Sequence, residues 1–154
     1  MKRGAFTETT LLVIGYGNTL RSDDAAGPLV AERISALGIS GVRVLACQQL
    51  TPELAPEIAE ASTVVFVDAA AEVRRDIVCG SLAPDDSCPV STHATDPRAL
   101  LALARELYGH APTGWLLKVP AENFGHGDVL SELTQRAIEA AVVKIRSLIP
   151  ARNL

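Results

Sequence analysis

Two carboxylates and an imidazole stand at three sequence-distant points: Asp24, in the pair Asp23-Asp24 at the end of a glycine-containing turn; Asp68, directly after the apolar run Thr63-Val64-Val65-Phe66-Val67; and His93, in a turn-rich stretch that precedes a helix. Each has an ordinary explanation. Acids at a helix start cap free N–H groups and suit the helix dipole, an aspartate after a strand forms turns, and a loop histidine is commonly just solvated. Taken together, Asp/Asp/His is a ligand set for a borderline divalent metal with positions left open for water or substrate. Such a metal polarises a carbonyl or activates a water. The set does not choose between nickel, zinc and iron, because affinity order and site geometry overlap.

For the three side chains to meet, the chain must place them at one edge of a sheet. Apolar runs alternate with helical periodicity, the pattern of a sheet wrapped by helices. Leu11 to Ile14 reads as a short buried strand that breaks at Gly15-Tyr16-Gly17-Asn18, followed by a helix from about Asp24 to Leu37 with Pro28 in its first turn and Gly38 as its stop. Val42 to Ala46 is a second strand, and Thr51-Pro52-Glu53 opens a short helix. Thr63 to Val67, β-branched and apolar on both faces, belongs at the sheet centre and ends at Asp68. A weaker strand around Asp76 to Leu82 leads into the turn-rich Pro84 to Thr95, and Asp96-Pro97 starts a helix with Leu100, Leu103, Ala104 and Leu107 at core spacing. Gly114 to Lys118 is another strand, Val119 to Leu130 a loop long enough to suspect function, and Ser131 caps a last helix. The order β-α-β-α-β-β-α-β-α implies an α/β fold: a three-layer α/β/α sandwich around a central five-stranded, mostly parallel sheet. Ligands of open α/β sheets bind beyond the C-terminal strand ends at a switch in strand order, where Asp24, Asp68 and His93 would converge.

The chain's 154 residues, 48% hydrophobic, suffice for one core and are too few for two ordinary domains, so a single domain over 1–154 with its core at about 11–149 is expected. A net charge of −4 without a long basic run gives no footprint for nucleic acid or an anionic membrane. No segment has the length and apolarity of a membrane span, and the Leu11–Ile14 run is too short for a signal peptide. Cys47, Cys79 and Cys88 are odd in number and form no C-x-x-C pair, which fits a reducing cytoplasm.

A Gly-x-Gly turn lets backbone reverse sharply and approach a ligand or partner chain without a Cβ clash. It is also part of the dinucleotide fingerprint, but the third glycine is missing and the second strand ends in Cys47-Gln48-Gln49, with no acid for a ribose. A nucleotide-binding domain is therefore the weaker reading.

In order and spacing, Gly15-x-Gly17-Asn18-x-x-x-x-Asp23-Asp24-x-x-Gly27, Leu50-Thr51-Pro52-Glu53-Leu54, Phe66-Val67-Asp68-Ala69, Ser91-x-His93 and Val119-Pro120 resemble the motifs of the hydrogenase maturation endopeptidases, over roughly Leu11 to Ile149. The resemblance implies a phosphorylase/hydrolase-like α/β fold and a nickel-dependent aspartic-type or metallo-endopeptidase. Its work would be to remove the C-terminal extension of a [NiFe]-hydrogenase large-subunit precursor after nickel insertion. It implies Asp24, Asp68 and His93 as metal ligands, with Asp24 and Asp68 also in the catalytic role. The Ni2+ would be largely substrate-borne, with Zn2+ or another divalent ion able to occupy the site. The implied partner is the precursor itself, met by a cytoplasmic monomer. The alternative on the same fold is a non-catalytic module that binds metal or a hydrogenase subunit.

Two positions depart from the family pattern. Ala25 stands where glycine is usual, restricting the turn into the helix, and Cys47 stands where many members have aspartate or histidine. Cys47 reads first as a half-buried thiol at a strand end, with a soft ligand or oxidation-sensitive residue as the alternative. His110 follows a helix C-terminus, while His126, in Phe124-Gly125-His126-Gly127, is the fallback ligand in a loop expected to contact the substrate chain.

Overall fold

The computed structural model describes residues 9–85, 87 and 96–154. Its centre is one five-stranded sheet, formed by Leu11–Tyr16 (β1), Val42–Cys47 (β2), Thr63–Ala70 (β3), Val78–Leu82 (β4) and Thr113–Pro120 (β5). The spatial order is β2-β1-β3-β5-β4, and every pairing is parallel except that of β4 with β5. This is the mixed, mostly parallel α/β architecture that the run order implies.

Among the described residues, four helices cover the sheet: Ala26–Ala36 (α1), Ala55–Glu60 (α2), Pro97–Tyr108 (α3) and Glu132–Ser147 (α4). The period-2 alternation of strands divides the core in two. Leu11, Val13, Val65, Val67, Leu117 and Val119 face α1 and α4, where Val30, Ile34, Ile138 and Ile145 meet them. Leu12, Ile14, Val64 and Phe66 face the other way, toward Ile58 of α2 and Leu100, Leu101 and Ala104 of α3. Because β1 and β3 are covered on both faces, Leu11 to Ile14 and Val64 to Val67 are each 0% exposed, which explains their unbroken apolar sequence.

Helix boundaries follow local chemistry. The Asp96 carboxylate accepts the Arg98 N–H at 2.9 Å and Pro97 takes the first position of α3, which ends on Gly109 at φ 77°. Ser131 caps α4 by accepting the Thr134 N–H at 3.2 Å. Two boundaries differ from expectation. The helix expected from Asp24 begins instead as a 3₁₀ turn, Ser22–Ala25, and becomes α-helical only at Ala26. Strand β3 runs past Asp68 to Ala70, since Asp68, Ala69 and Ala70 all pair with β5. Asp68 is thus held by sheet register and not by a turn. Among the described residues, no helix is long and apolar enough to cross a membrane.

Candidate functional site

From β1 the chain crosses through α1 to β2 on one side, and from β2 through α2 to β3 on the other, so the order switches between β1 and β3. At that switch the C-terminal ends of two neighbouring strands diverge and leave a crevice. Gly15 is the register partner of Val67, which brings the next residues, Tyr16 and Asp68, side by side. Cys47 is Tyr16's partner on β2, and Lys118 is Asp68's partner on β5.

The three motif glycines explain how the 3₁₀ turn reaches this place. A Cβ on Gly15 would lie 2.0 Å from the Gly27 carbonyl oxygen, one on Gly17 2.0 Å from the Asp24 carbonyl oxygen, and one on Gly27 2.4 Å and 2.5 Å from the Tyr16 and Val67 carbonyl oxygens. Backbone therefore rests on backbone at the β1 and β3 ends, which only glycine permits. The close approach is made by the protein's own chain, where the sequence had suggested a ligand. Ala25, at φ −72° and ψ −5°, is in an ordinary right-handed conformation, so alanine meets no restriction there.

Adjacent aspartates have opposite duties. Asp23 is 0% exposed, and its Oδ2 accepts the N–H groups of Glu122 and Asn123 at 3.0 and 2.8 Å and the Ser131 hydroxyl at 2.7 Å, while Oδ1 accepts the Ser131 N–H at 2.7 Å. Burial alone would raise its pKa, but the donors from Glu122, Ser131 and Asn123 prevail and hold it below the usual value. Asp24 is only partly buried, and its Oδ2 accepts the Asn18 N–H at 2.7 Å. Asp23 is the anchor, and Asp24 keeps a partly exposed carboxylate with a single backbone donor, the Asn18 N–H.

The long loop after β5 supplies that anchorage. Ser22, at φ 50°, receives no penalty relief from glycine; its N–H donates to the Gly127 carbonyl at 2.9 Å and its hydroxyl to the Gly125 carbonyl at 2.9 Å. Gly127 N–H returns a bond to Leu20 at 2.9 Å, and the Asp23 N–H donates to Asn123 at 2.9 Å. Residues 121–131 thus brace the turn that carries Asp24. His126 is exposed within this loop, and His110 lies 3.2 Å from the Ala61 carbonyl oxygen beyond the end of α3.

Asp68 is pushed upward to a pKa of about 6, chiefly by burial; the Tyr16 hydrogen bond opposes this, and the Asp24 charge adds to it. Tyr16 is itself driven far above the usual phenol range by burial and then by Asp68's charge, so it stays protonated and is the donor to Asp68. Lys118 gives its ammonium to Glu72 at 3.0 Å. The cluster is therefore two carboxylates that repel each other in a half-buried crevice, an arrangement that a divalent cation would relieve. Beside it, Gly17, Asn18, Leu20, Pro28 and Cys47 line an open cleft of about 360 Å³.

Asp24 and Asp68 are thus brought together. His93 lies outside the described residues, as does Cys88. Among the described residues no three His, Cys, Asp or Glu side chains form a metal-holding group, so His126 does not complete a set with the two aspartates. Tyr16 was not singled out from the sequence. Strand parity carried the signal: Leu12, Ile14 and Tyr16 share a face with Phe66 and Asp68.

No protein-family model matches the chain, and no curated protein sequence matches it significantly. Solved structures do. The [NiFe] hydrogenase maturation protease HycI from Thermococcus kodakarensis KOD1 is 28% identical with a TM-score of 0.73, covering 91% of this chain and 92% of its own. The hydrogenase maturating endopeptidase HybD from E. coli shares the fold at 20% identity and a TM-score of 0.72, covering 90% and 91%. A hydrogenase 3 maturation protease does so at 21% identity and a TM-score of 0.66, covering 94% of each chain. Over most of its length the chain is thus similar to proteases, and among them to the hydrogenase maturation endopeptidases, whose fold it shares.

Proposed function

We propose that this protein is the endopeptidase that removes the C-terminal extension of a [NiFe]-hydrogenase large-subunit precursor once nickel is in place. The observation that carries the reading is the Asp24–Asp68 pair at the β1/β3 switch, one carboxylate fixed by the Asn18 N–H and the other by the Tyr16 phenol. The likeness to a [NiFe] hydrogenase maturation protease supports the substrate class.

The residues suit a divalent ion. Asp24 and Asp68 offer oxygen donors of like charge, each oriented by a hydrogen bond to a neighbouring group, and His93 is the third ligand in this reading. The nickel is the precursor's cargo, and a divalent metal so held supplies Lewis acidity toward the scissile carbonyl or a water. The chain's own part is to bind and orient. Asn18 keeps Asp24 pointed into the crevice, Tyr16 keeps Asp68 there, and the adjoining cleft along Gly17, Leu20 and Cys47 receives an extended segment of the precursor. Free Cys47 and Cys79 fit a reducing compartment, and we place the enzyme in the cytoplasm.

The test is to incubate the purified protein with the precursor, with and without nickel, and weigh the released peptide. Release only from the nickel-loaded precursor, abolished in Asp24→Ala and Asp68→Ala, is the expected result. Undiminished release by both variants would overturn the assignment, and tight binding without any release would make the protein a recognition module.

A further inference from the structure

A second site lies on the same rim of the sheet, beyond β5. The loop leaving β3 turns back into β4 at the C-terminal end of β5, and α4 starts at that end too. Between loop and helix is an open cleft of about 490 Å³ whose rim carries Arg74, Arg75 and Arg136, with Ile77, Leu133 and Ala137 as its apolar floor.

The charge here runs against the rest of the molecule. The chain carries a net −4, yet three guanidinium groups converge on one cleft. Neither Arg74 nor Arg75 has a hydrogen-bond or ion-pair partner among the described residues, and Arg136 makes only a solvent-exposed contact with Glu132 at 3.3 Å. Exposed pairs of that kind contribute little and exchange readily. Asp76 is the one acid on the rim. Lys144, two turns beyond Arg136 on α4, adds a further positive charge that bears on the Cys79 thiol of β4. Three like charges are gathered at a concave site with only Asp76 and the exposed Glu132 to offset them, at a cost in self-repulsion that an anionic partner would remove.

From this geometry we infer that the Arg74/Arg75/Arg136 cleft docks an acidic segment of the polypeptide substrate, away from the bond that is cut. Guanidinium forks take carboxylates bidentately, and the apolar floor takes the stems of the side chains between them. The cleft and the Asp24–Asp68 crevice open on the same end of the sheet, one beyond β5 and the other between β1 and β3, so one substrate chain can engage both. The substrate's being a protein precursor rests on the function proposed above; the acidic-peptide site does not.

The experiment therefore has two arms. A fluorescently labelled hexaglutamate peptide is titrated at low salt against the wild-type protein, the triple variant R74A/R75A/R136A and a control of equal charge change, R105A/R146A/R152A. The expected result is about tenfold weaker binding in the cleft variant and little change in the control, with binding lost as salt is raised. Equal weakening in both variants would reduce the effect to net charge and overturn the site, as would displacement of the peptide by inorganic phosphate at constant ionic strength, which would mark a general anion site. In the second arm, precursor cleavage by the cleft variant is expected to show a raised KM at unchanged kcat. An unchanged KM would overturn substrate docking. If the wild-type protein cleaves no precursor, the proposed activity fails while the peptide arm still decides the cleft.

Discussion

Tyr16 donates its phenol to the Asp68 carboxylate across the one point where the strand order reverses. The bond ties the end of β1 to β3 and fixes the orientation of a carboxylate that burial and Asp24 both disfavour as an anion. Phenol and carboxylate do not trade roles, since the phenol's pKa is pushed far upward and it remains the donor throughout the working pH range.

Divalent metal binding to Asp68 must compete with its proton. With a pKa of about 6, Asp68 in the wild-type protein is expected to lose affinity for Zn2+ or Ni2+ as the pH falls through that value. Tyr16→Phe removes a bond that lowers the pKa, so the loss of affinity should begin at higher pH. Calorimetric titrations between about pH 5 and pH 8 check this. Superimposable pH curves for the two proteins would show that the phenol does not govern Asp68.

Gly17→Ala isolates the positioning of Asp24 from its chemistry. At φ 151°, with the Asp24 carbonyl 2.0 Å from where the Cβ would sit, the new methyl must push the 3₁₀ turn away from β1. The turn is at the surface end of the fold, so stability should drop by about 2 kcal/mol, while a displaced carboxylate should lower kcat about 100-fold. Thermal melting and cleavage rate measured on the same preparation separate the two effects. Activity falling only in proportion to the folded fraction would count against a positioning role.

Much of this was legible in the sequence. The β1 and β3 runs are apolar on both faces because they are central, and Asp96-Pro97 and Ser131 are caps whose side chains accept the expected N–H groups. The motif glycines and acids were visible too, but their individual duties were not. Asp23 and Asp24 are adjacent and chemically identical, and only the partners arriving about a hundred residues later, at Glu122, Asn123 and Ser131, make one an anchor. Tyr16 escaped notice because its partner comes from a strand 52 positions further on, through the Gly15–Val67 register. The loop of residues 121–131 looked like a substrate loop by length. In the structure its glycine carbonyls are spent on Ser22.

Cys47 stands beside the crevice, and its thiol is raised above the ordinary 9.0 by burial. It is therefore protonated near neutral pH, and a protonated thiol is a poor nucleophile and a poor metal ligand. Cys47→Ala is expected to keep precursor cleavage within about twofold of wild type. Alkylation of the native protein by iodoacetamide should be slow at Cys47 and fast only after unfolding. Rapid native alkylation, or a large loss of metal affinity in the variant, would restore Cys47 as a ligand.

Asp23 is where strong acid should loosen the turn that carries Asp24. Its carboxylate accepts three N–H groups and a hydroxyl in a fully buried position, so Asp23→Ala strands those donors at a cost of about 3 kcal/mol or more. Its pKa in the folded protein lies below the ordinary 3.8. The stabilisation is therefore complete above that ordinary value and is lost as the pH falls through the depressed one. Asp23→Asn keeps the size but presents an amide N–H to groups that also donate, so it should be destabilised at neutral pH. Denaturant melts of wild type and Asp23→Asn should show a gap that is constant near neutrality and narrows below about pH 4. Asp24→Asn, which loses no buried donor network, should melt close to wild type over the same range. If the Asp23 gap stayed constant into strong acid, the anionic form would not be what joins the Asp24 turn to the loop after β5.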